Sequence, residues 1–144
     1  MQKNKRVFIP GKYIFHVGRS RAGLGLFTKE PIAKGACVIE YTGKVLSVEE
    51  EKKSNSLYLF DAGDGKTIDG AARSNTARYI NHSCRPNCEI ELQRKRVWVI
   101  AKRNIKAGEE LSYDYDPEYF NAYIKSKGCR CLKCKPEISP TKNR

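Results

Sequence analysis

The sequence predicts a mainly β domain with a few short helices, and three observations carry that reading. Apolar residues come in short runs, several of them alternating with polar ones, as half-buried strands require. Glycine, proline and polar clusters interrupt those runs at close intervals. Helix-start signals occur at two places only.

Taken in order, strands are expected over Lys12 to Val17, Gly25 to Thr28, Val38 to Val45, Leu57 to Asp61 and Leu111 to Tyr115. Cys88, Ile90 and Leu92 alternate with polar residues, and Val97 to Ala101 returns as an apolar run after the charged Arg94-Lys95-Arg96 tip, which predicts a hairpin. Ser47 followed by Glu50 is a capping box for a short polar helix ending near Asn55. Asp116 is the N-cap of a second helix, with Pro117 at its first position, Tyr119, Phe120, Tyr123 and Ile124 at helical spacing and Gly128 at its end. That aromatic stripe reads first as core packing. The last ten residues, KPEISPTKNR, read as a polar tail. No internal repeat or low-complexity segment is present.

A chain of 144 residues matches one domain and buries enough apolar surface to fold without cross-links. No apolar run approaches the roughly 20 residues of a membrane span, and the basic start, MQKNKRVFIPGKY, is not followed by the apolar segment of a secretory signal. A soluble chain with no membrane partner is expected. Lys and Arg total 28 against 16 Asp and Glu, a net charge of +12 that suits nucleic acid or simply solubilises the surface. Between Ala107 and Ile124 there is no Lys or Arg, while Glu109, Glu110, Asp114, Asp116 and Glu118 fall there. Such a stretch is either an acidic lip for a cationic peptide or a solvated turn.

Without an export signal, six cysteines argue against a disulfide framework. Cys129, Cys131 and Cys134 crowd into GCRCLKC, a spacing at which thiolates converge on one zinc ion.

Four segments follow one another: SRAGLGLF (Ser20 to Phe27), RYINHSCRPNC (Arg78 to Cys88), GEELSYDYD (Gly108 to Asp116) and GCRCLKC (Gly128 to Cys134). Together they resemble the SET-domain family of protein lysine methyltransferases, closed by its cysteine-rich post-SET segment. The likeness runs from about Tyr13 to Cys134 and implies a SET-domain β-fold of several small sheets with a C-terminal pseudoknot, an exception to the rule against threaded connections. It divides the chain into a basic lead-in (1–11), the SET domain (12–116), a helix with a zinc-binding post-SET segment (117–135) and a polar tail (136–144).

The resemblance also distributes roles. Ala22, Gly23 and Leu24, in a glycine loop whose backbone can approach a ligand, would bind S-adenosylmethionine; the third glycine of a dinucleotide fingerprint is missing. Asn81 and His82 offer groups for the adenine of that cofactor, Tyr58 and Arg130 match positions beside it, and Arg78 would hold the segment in place. Tyr115 is the expected catalytic tyrosine, Tyr41 a second active-site hydroxyl, and Tyr113 the position where family members carry Tyr or Phe. A hydroxyl at Tyr113 hinders rotation of an already methylated amine, which points to monomethylation. Structural zinc would be held by Cys84 with Cys129, Cys131 and Cys134. Only Leu132 and Lys133 separate the last two, fewer residues than eukaryotic members usually place there. Cys37 and Cys88 are left as buried, inert thiols.

These roles suit one reaction. A lysine amine with a reference pKa near 10.4 is almost wholly protonated at pH 7, and only its neutral form has a lone pair with which to attack a sulfonium methyl. A dry channel lowers that pKa, and tyrosine hydroxyls direct the lone pair without a fixed counter-charge. The expected activity is lysine methylation of a protein substrate, a histone or other basic chromosomal protein foremost, with nucleic-acid or nucleosome contact as a further partner. An intracellular setting is expected, nucleus or bacterial cytoplasm. Two other classes compete. One is a zinc-stabilised module that binds peptide and has lost catalysis, against which Tyr41, Tyr113, Tyr115, Asn81 and His82 stand together. The other is a nucleic-acid binder, against which stands the scatter of the basic residues.

Overall fold

The computed structural model of the chain describes residues 8–21, 23–63 and 65–115. They form ten short strands, one α-helix and one 3-10 turn: β1 (Phe15–Ser20), β2 (Gly23–Thr28), β3 (Cys37–Tyr41), β4 (Lys44–Leu46), α1 (Val48–Lys53), β5 (Leu59–Gly63), β6 (Lys66–Asp69), the turn Thr76–Tyr79, β7 (Asn81–His82), β8 (Cys88–Gln93), β9 (Arg96–Ala101) and β10 (Ser112–Tyr113). The expected mainly β architecture of several small sheets is what folds. There are four of them among the described residues: β1-β2, β3-β9-β8, β4-β6-β5 and the two-stranded parallel pair β10-β7.

Alternation explains the three-stranded sheet β3-β9-β8. Val97, Val99 and Ala101 of β9 turn to one face with Tyr41 of β3 and Cys88 of β8, and all are buried in the main core with Leu26, Ile32, Val38, Ile80, Ile105 and Leu111. Each such Val, Leu or Ile contributes about 1.5–3 kcal/mol by leaving water. Trp98 and Ile100 take the opposite face and form a second cluster with Cys37, covered by Phe8. Burial pushes the Cys37 thiol up to about 11 and the Cys88 thiol to about 12, so both stay protonated and inert, as expected of leftover cysteines. The β8–β9 hairpin turns through Arg94 and Lys95, both at positive φ (55° and 61°), the pair of left-handed residues that a two-residue turn matched to strand twist requires.

Helix α1 has the predicted start. The Ser47 hydroxyl accepts from the Glu50 backbone N–H, and the Glu50 carboxylate accepts from the Ser47 backbone N–H.

Several boundaries differ from expectation. The run Val38 to Val45 is not one strand; it breaks at Thr42-Gly43 because the backbone there passes against the Asp69 carbonyl, in space a side chain at Gly43 would fill. The first strand starts later than Lys12 and runs on to Ser20, carried by pairing with β2 from Phe15↔Thr28 to Ser20↔Gly23. Leu57 to Asp61 moves to Leu59–Gly63, and Leu111 to Tyr115 shrinks to Ser112–Tyr113. The helix expected from Pro117 and the polar tail lie outside the described residues.

Candidate active site

Two long-range attachments build the site. Backbone bonds from Leu111 to the Leu26 carbonyl (2.8 Å) and from Thr28 to the Glu109 carbonyl (3.1 Å) lay the 109–111 segment along β2. Immediately beyond, β10 runs parallel to β7 with Ser112↔Asn81 and Tyr113↔His82 in register. The motif segments around Gly23, Asn81 and Tyr113 therefore meet, although far apart in sequence.

On one side of this junction stands a series of rings. Tyr41 contacts Phe60 (centroids 5.1 Å), Phe60 contacts Tyr113 (6.0 Å), Tyr113 contacts Tyr115 (4.9 Å), and Tyr115 meets the His82 ring edge-on (5.3 Å). Tyr41 and Tyr113 are buried and Tyr115 partly so. The Tyr41 hydroxyl donates to the Tyr58 carbonyl and the Tyr115 hydroxyl to the Ile80 carbonyl, each at 2.8 Å. Each phenolic proton is thus committed to a backbone acceptor, and what these oxygens can offer a ligand is lone pairs.

His82 is committed as well. Its Nδ1 accepts from the Tyr115 backbone N–H (3.1 Å), and its Nε2 lies 3.3 Å from the Cys84 thiol. Burial lowers its pKa and outweighs the opposite pull of Asp114, whose Oδ1 is 3.5 Å from Nδ1. The ring is therefore neutral with its proton on Nε2, so only the backbone of His82 remains for a ligand.

Asn81 turns the other way. Its Nδ2 lies 2.7 Å from the Leu24 carbonyl, 2.9 Å from Glu110 Oε2 and 3.0 Å from Ser20 Oγ, while its Oδ1 has no hydrogen-bond partner among the described residues. Gly23 has φ +112°, a conformation that favours glycine, and the Leu24 side chain is exposed beside it. An amide oxygen left open beside an exposed leucine suits a ligand carrying both an ammonium donor and apolar surface, which fits S-adenosylmethionine. Tyr58 lies under the Arg78 guanidinium (4.4 Å); Arg78 also reaches the Tyr79 ring (5.2 Å) and donates to the Ala71 carbonyl (2.6 Å).

Among the described residues, the acids of this stretch do not form one lip. Glu109 is paired with Arg103 at 2.8 Å and held below its usual pKa by that contact, whereas Glu110 turns inward, where burial raises its pKa. Of the described acids in this stretch, only Asp114 projects into solvent. Among site residues, Ala22, Arg130, Cys129, Cys131 and Cys134 lie outside the described residues. Among the described residues Cys37, Cys84 and Cys88 form no disulfide with one another, and there is no cluster of three or more metal-ligating side chains.

Sequence reasoning missed Phe60, which joins Tyr41 to Tyr113. It also missed Asn75, buried behind Tyr41, where Oδ1 accepts from Thr42 N–H (3.0 Å) and Nδ2 donates to the Gly70 carbonyl (3.0 Å). An asparagine beside a run of small residues, GAARSN, was the available signal of a side chain recruited as a backbone brace.

Small sheets thus meet at a parallel strand pair, with a tyrosine wall on one side and a glycine hairpin on the other. The family model described as the SET domain matches residues 23–116. The chain is 40% identical to the histone-lysine N-methyltransferase ash1 of Drosophila melanogaster, across 76% of this chain and 5% of that protein. It is 35% identical to histone-lysine N-methyltransferase 2D of Homo sapiens (81% and 2%) and 34% identical to histone-lysine N-methyltransferase ASHH1 of Arabidopsis thaliana (78% and 25%). The chain belongs to the SET-domain family, whose methyl donor is S-adenosylmethionine. It spans only a small part of the length of these relatives.

Proposed function

We propose that this chain transfers a methyl group from S-adenosylmethionine to a lysine side chain of a protein, with a histone or other basic chromosomal protein as substrate and Tyr115, Tyr41 and Tyr113 as the catalytic wall. The observation that carries the reading is the unbroken ring series from Tyr41 to His82, with both flanking hydroxyls donated to backbone carbonyls. When bound, S-adenosylmethionine supplies the electrophilic methyl. Gly23, Leu24 and Asn81 hold it at the hairpin, with the backbone of His82 and the Tyr58 position beside it; Ala22 and Arg130 complete the set from the family's pattern. The rings of Phe60, Tyr113 and Tyr115 exclude water and so lower the pKa of an entering lysine. The Tyr41 and Tyr115 oxygens accept from its N–H groups and aim its lone pair. Neither tyrosine acts as a base, since its own proton is in use, and the amine must arrive neutral. Such a substrate places the protein in an intracellular compartment with chromatin, nucleus or bacterial cytoplasm; no helix among the described residues is long and apolar enough to cross a membrane. The net charge of +12 supports contact with the nucleic acid of a nucleosome.

Radiolabelled cofactor incubated with histones, nucleosomes and cell lysate tests the activity. Label on a protein band supports it, and no label from metal-replete, cofactor-binding protein overturns it. Tyr113→Phe is expected to move the product from mono- toward di- and trimethyl-lysine, read by mass spectrometry of the modified peptide. An unchanged product pattern removes Tyr113 from the control of methylation degree.

Zinc is part of the same proposal. Cys84 receives the His82 N–H at its sulfur, the kind of outer contact that holds a metal-bound thiolate, and Cys129, Cys131 and Cys134 supply the remaining donors by spacing. Elemental analysis is expected to find ~1 zinc per chain, and a chelator should lower activity at least about tenfold with recovery on zinc addition. Full activity in metal-free protein would exclude the zinc.

A further inference from the structure

Glu110 is a half-buried carboxylate that the methyl-transfer chemistry does not use, and it sits where three motif segments meet. Its Oε2 lies 2.9 Å from Asn81 Nδ2. It reaches that atom across β2 only because residue 25 is glycine: a Cβ there would meet Glu110 Oε2 and, at 2.9 Å, the Cβ of Ser20. The second glycine of the G-L-G hairpin thus makes room for a carboxylate and not for a ligand.

We propose that Glu110 is a positioning residue for cofactor binding, fixing the side-chain amide of Asn81 so that its oxygen, not its nitrogen, faces the ligand. An asparagine side chain fits its pocket equally well in either orientation, and the neighbours must choose. Asn81 Nδ2 faces the Leu24 carbonyl, the Glu110 carboxylate and the Ser20 hydroxyl. The first is an acceptor only, and so is the second when ionised, whereas a hydroxyl tolerates either end of the amide. Flipping Asn81 would set its oxygen against a carbonyl and a carboxylate at under 3 Å, which leaves Oδ1 as the end offered outward. Ser20 is buried on the hairpin side and bonds the same carboxylate. Glu110 is therefore the element that transmits the hairpin's position to the cofactor-facing amide.

The inference rests on the reading that Asn81 holds S-adenosylmethionine, and the test separates the two. Cofactor affinity of the full chain is measured by isothermal titration for the wild type, Glu110→Gln, Asn81→Ala and the double variant. Glutamine keeps the volume but can present its own NH2 to Asn81, so the Leu24 carbonyl is left as the one acceptor that still opposes the flip. Glu110→Gln is expected to weaken binding about tenfold, and to weaken it less than about twofold when Asn81 is already alanine. The melting temperature of cofactor-free Glu110→Gln should not fall, because the substitution removes a partly desolvated charge and keeps the side chain's volume. If Asn81→Ala weakens binding but Glu110→Gln does not, or if Glu110→Gln acts equally in both backgrounds, the positioning role is overturned and the reading of Asn81 stands. If Asn81→Ala binds like the wild type, both are overturned. Should Glu110→Gln fail to fold, Glu110→Asp, which keeps the charge but shortens its reach, takes its place in the same cycle with the same coupling expected.

Discussion

Replacing Tyr115 by phenylalanine is expected to lower methyl transfer at least about 100-fold while changing cofactor affinity less than about threefold. The ring is held between Tyr113 and His82, contacts that phenylalanine keeps. What disappears is the hydroxyl and its 2.8 Å bond to the Ile80 carbonyl. That loss leaves one backbone acceptor short of a partner and should destabilise the fold by about 1–3 kcal/mol. In the proposed mechanism the larger effect falls on the reaction, because the oxygen assigned to aim the amine's lone pair is gone. A near-attack geometry tolerates little misplacement, so a lysine left to rotate reacts far more slowly even when bound. Single-turnover labelling at saturating cofactor measures this directly. A rate within about fivefold of wild type, with folding intact, would mean that Tyr115 only packs against His82.

The way this site was and was not legible follows from how far apart its partners lie. NHSC and SYDY are local words, and each brings its residues to the junction by one short strand. The β8–β9 hairpin was equally readable from alternation, although its Arg94-Lys95 turn lacks the Asn-Gly signal for left-handed residues. Glu110 was readable only as one of several acids, since its inward course depends on Gly25, Ser20 and Asn81, none of them near it in sequence. Glu109, its neighbour with the same side chain, does the opposite and pairs at the surface with Arg103. Composition alone cannot separate those two, because the difference is made by which face of the segment meets β2. Phe60 was hidden for the same reason: it joins the wall through ring contacts to β3 and β10. The strand break at Thr42-Gly43 depends on the Asp69 carbonyl crossing it, a contact no local pattern announces.

A single added methyl at Gly70 should expose the same dependence from the fold's side. A Cβ at Gly70 would meet the Tyr41 ring and Asn75 Nδ2, two groups that cannot both give way. Asn75 is fully buried and braces Thr42 and the Gly70 carbonyl, while Tyr41 is fixed by its bond to the Tyr58 carbonyl and by Phe60. Overpacking of this kind destabilises by about 1–3 kcal/mol, and Gly70→Ala should lie at the upper end because Asn75 loses hydrogen bonds if it moves. If Tyr41 moves instead, its hydroxyl leaves the channel wall, and a shift of about 1 Å is enough to slow transfer about 100-fold. Denaturant unfolding and single-turnover labelling together decide between the two. Lost stability with a normal rate assigns the displacement to Asn75, and a lost rate with near-normal stability assigns it to Tyr41. Gly70→Ala matching the wild type in both would show that the wall yields at this point, and would undercut the argument that Tyr41 is held rigidly enough to orient the amine.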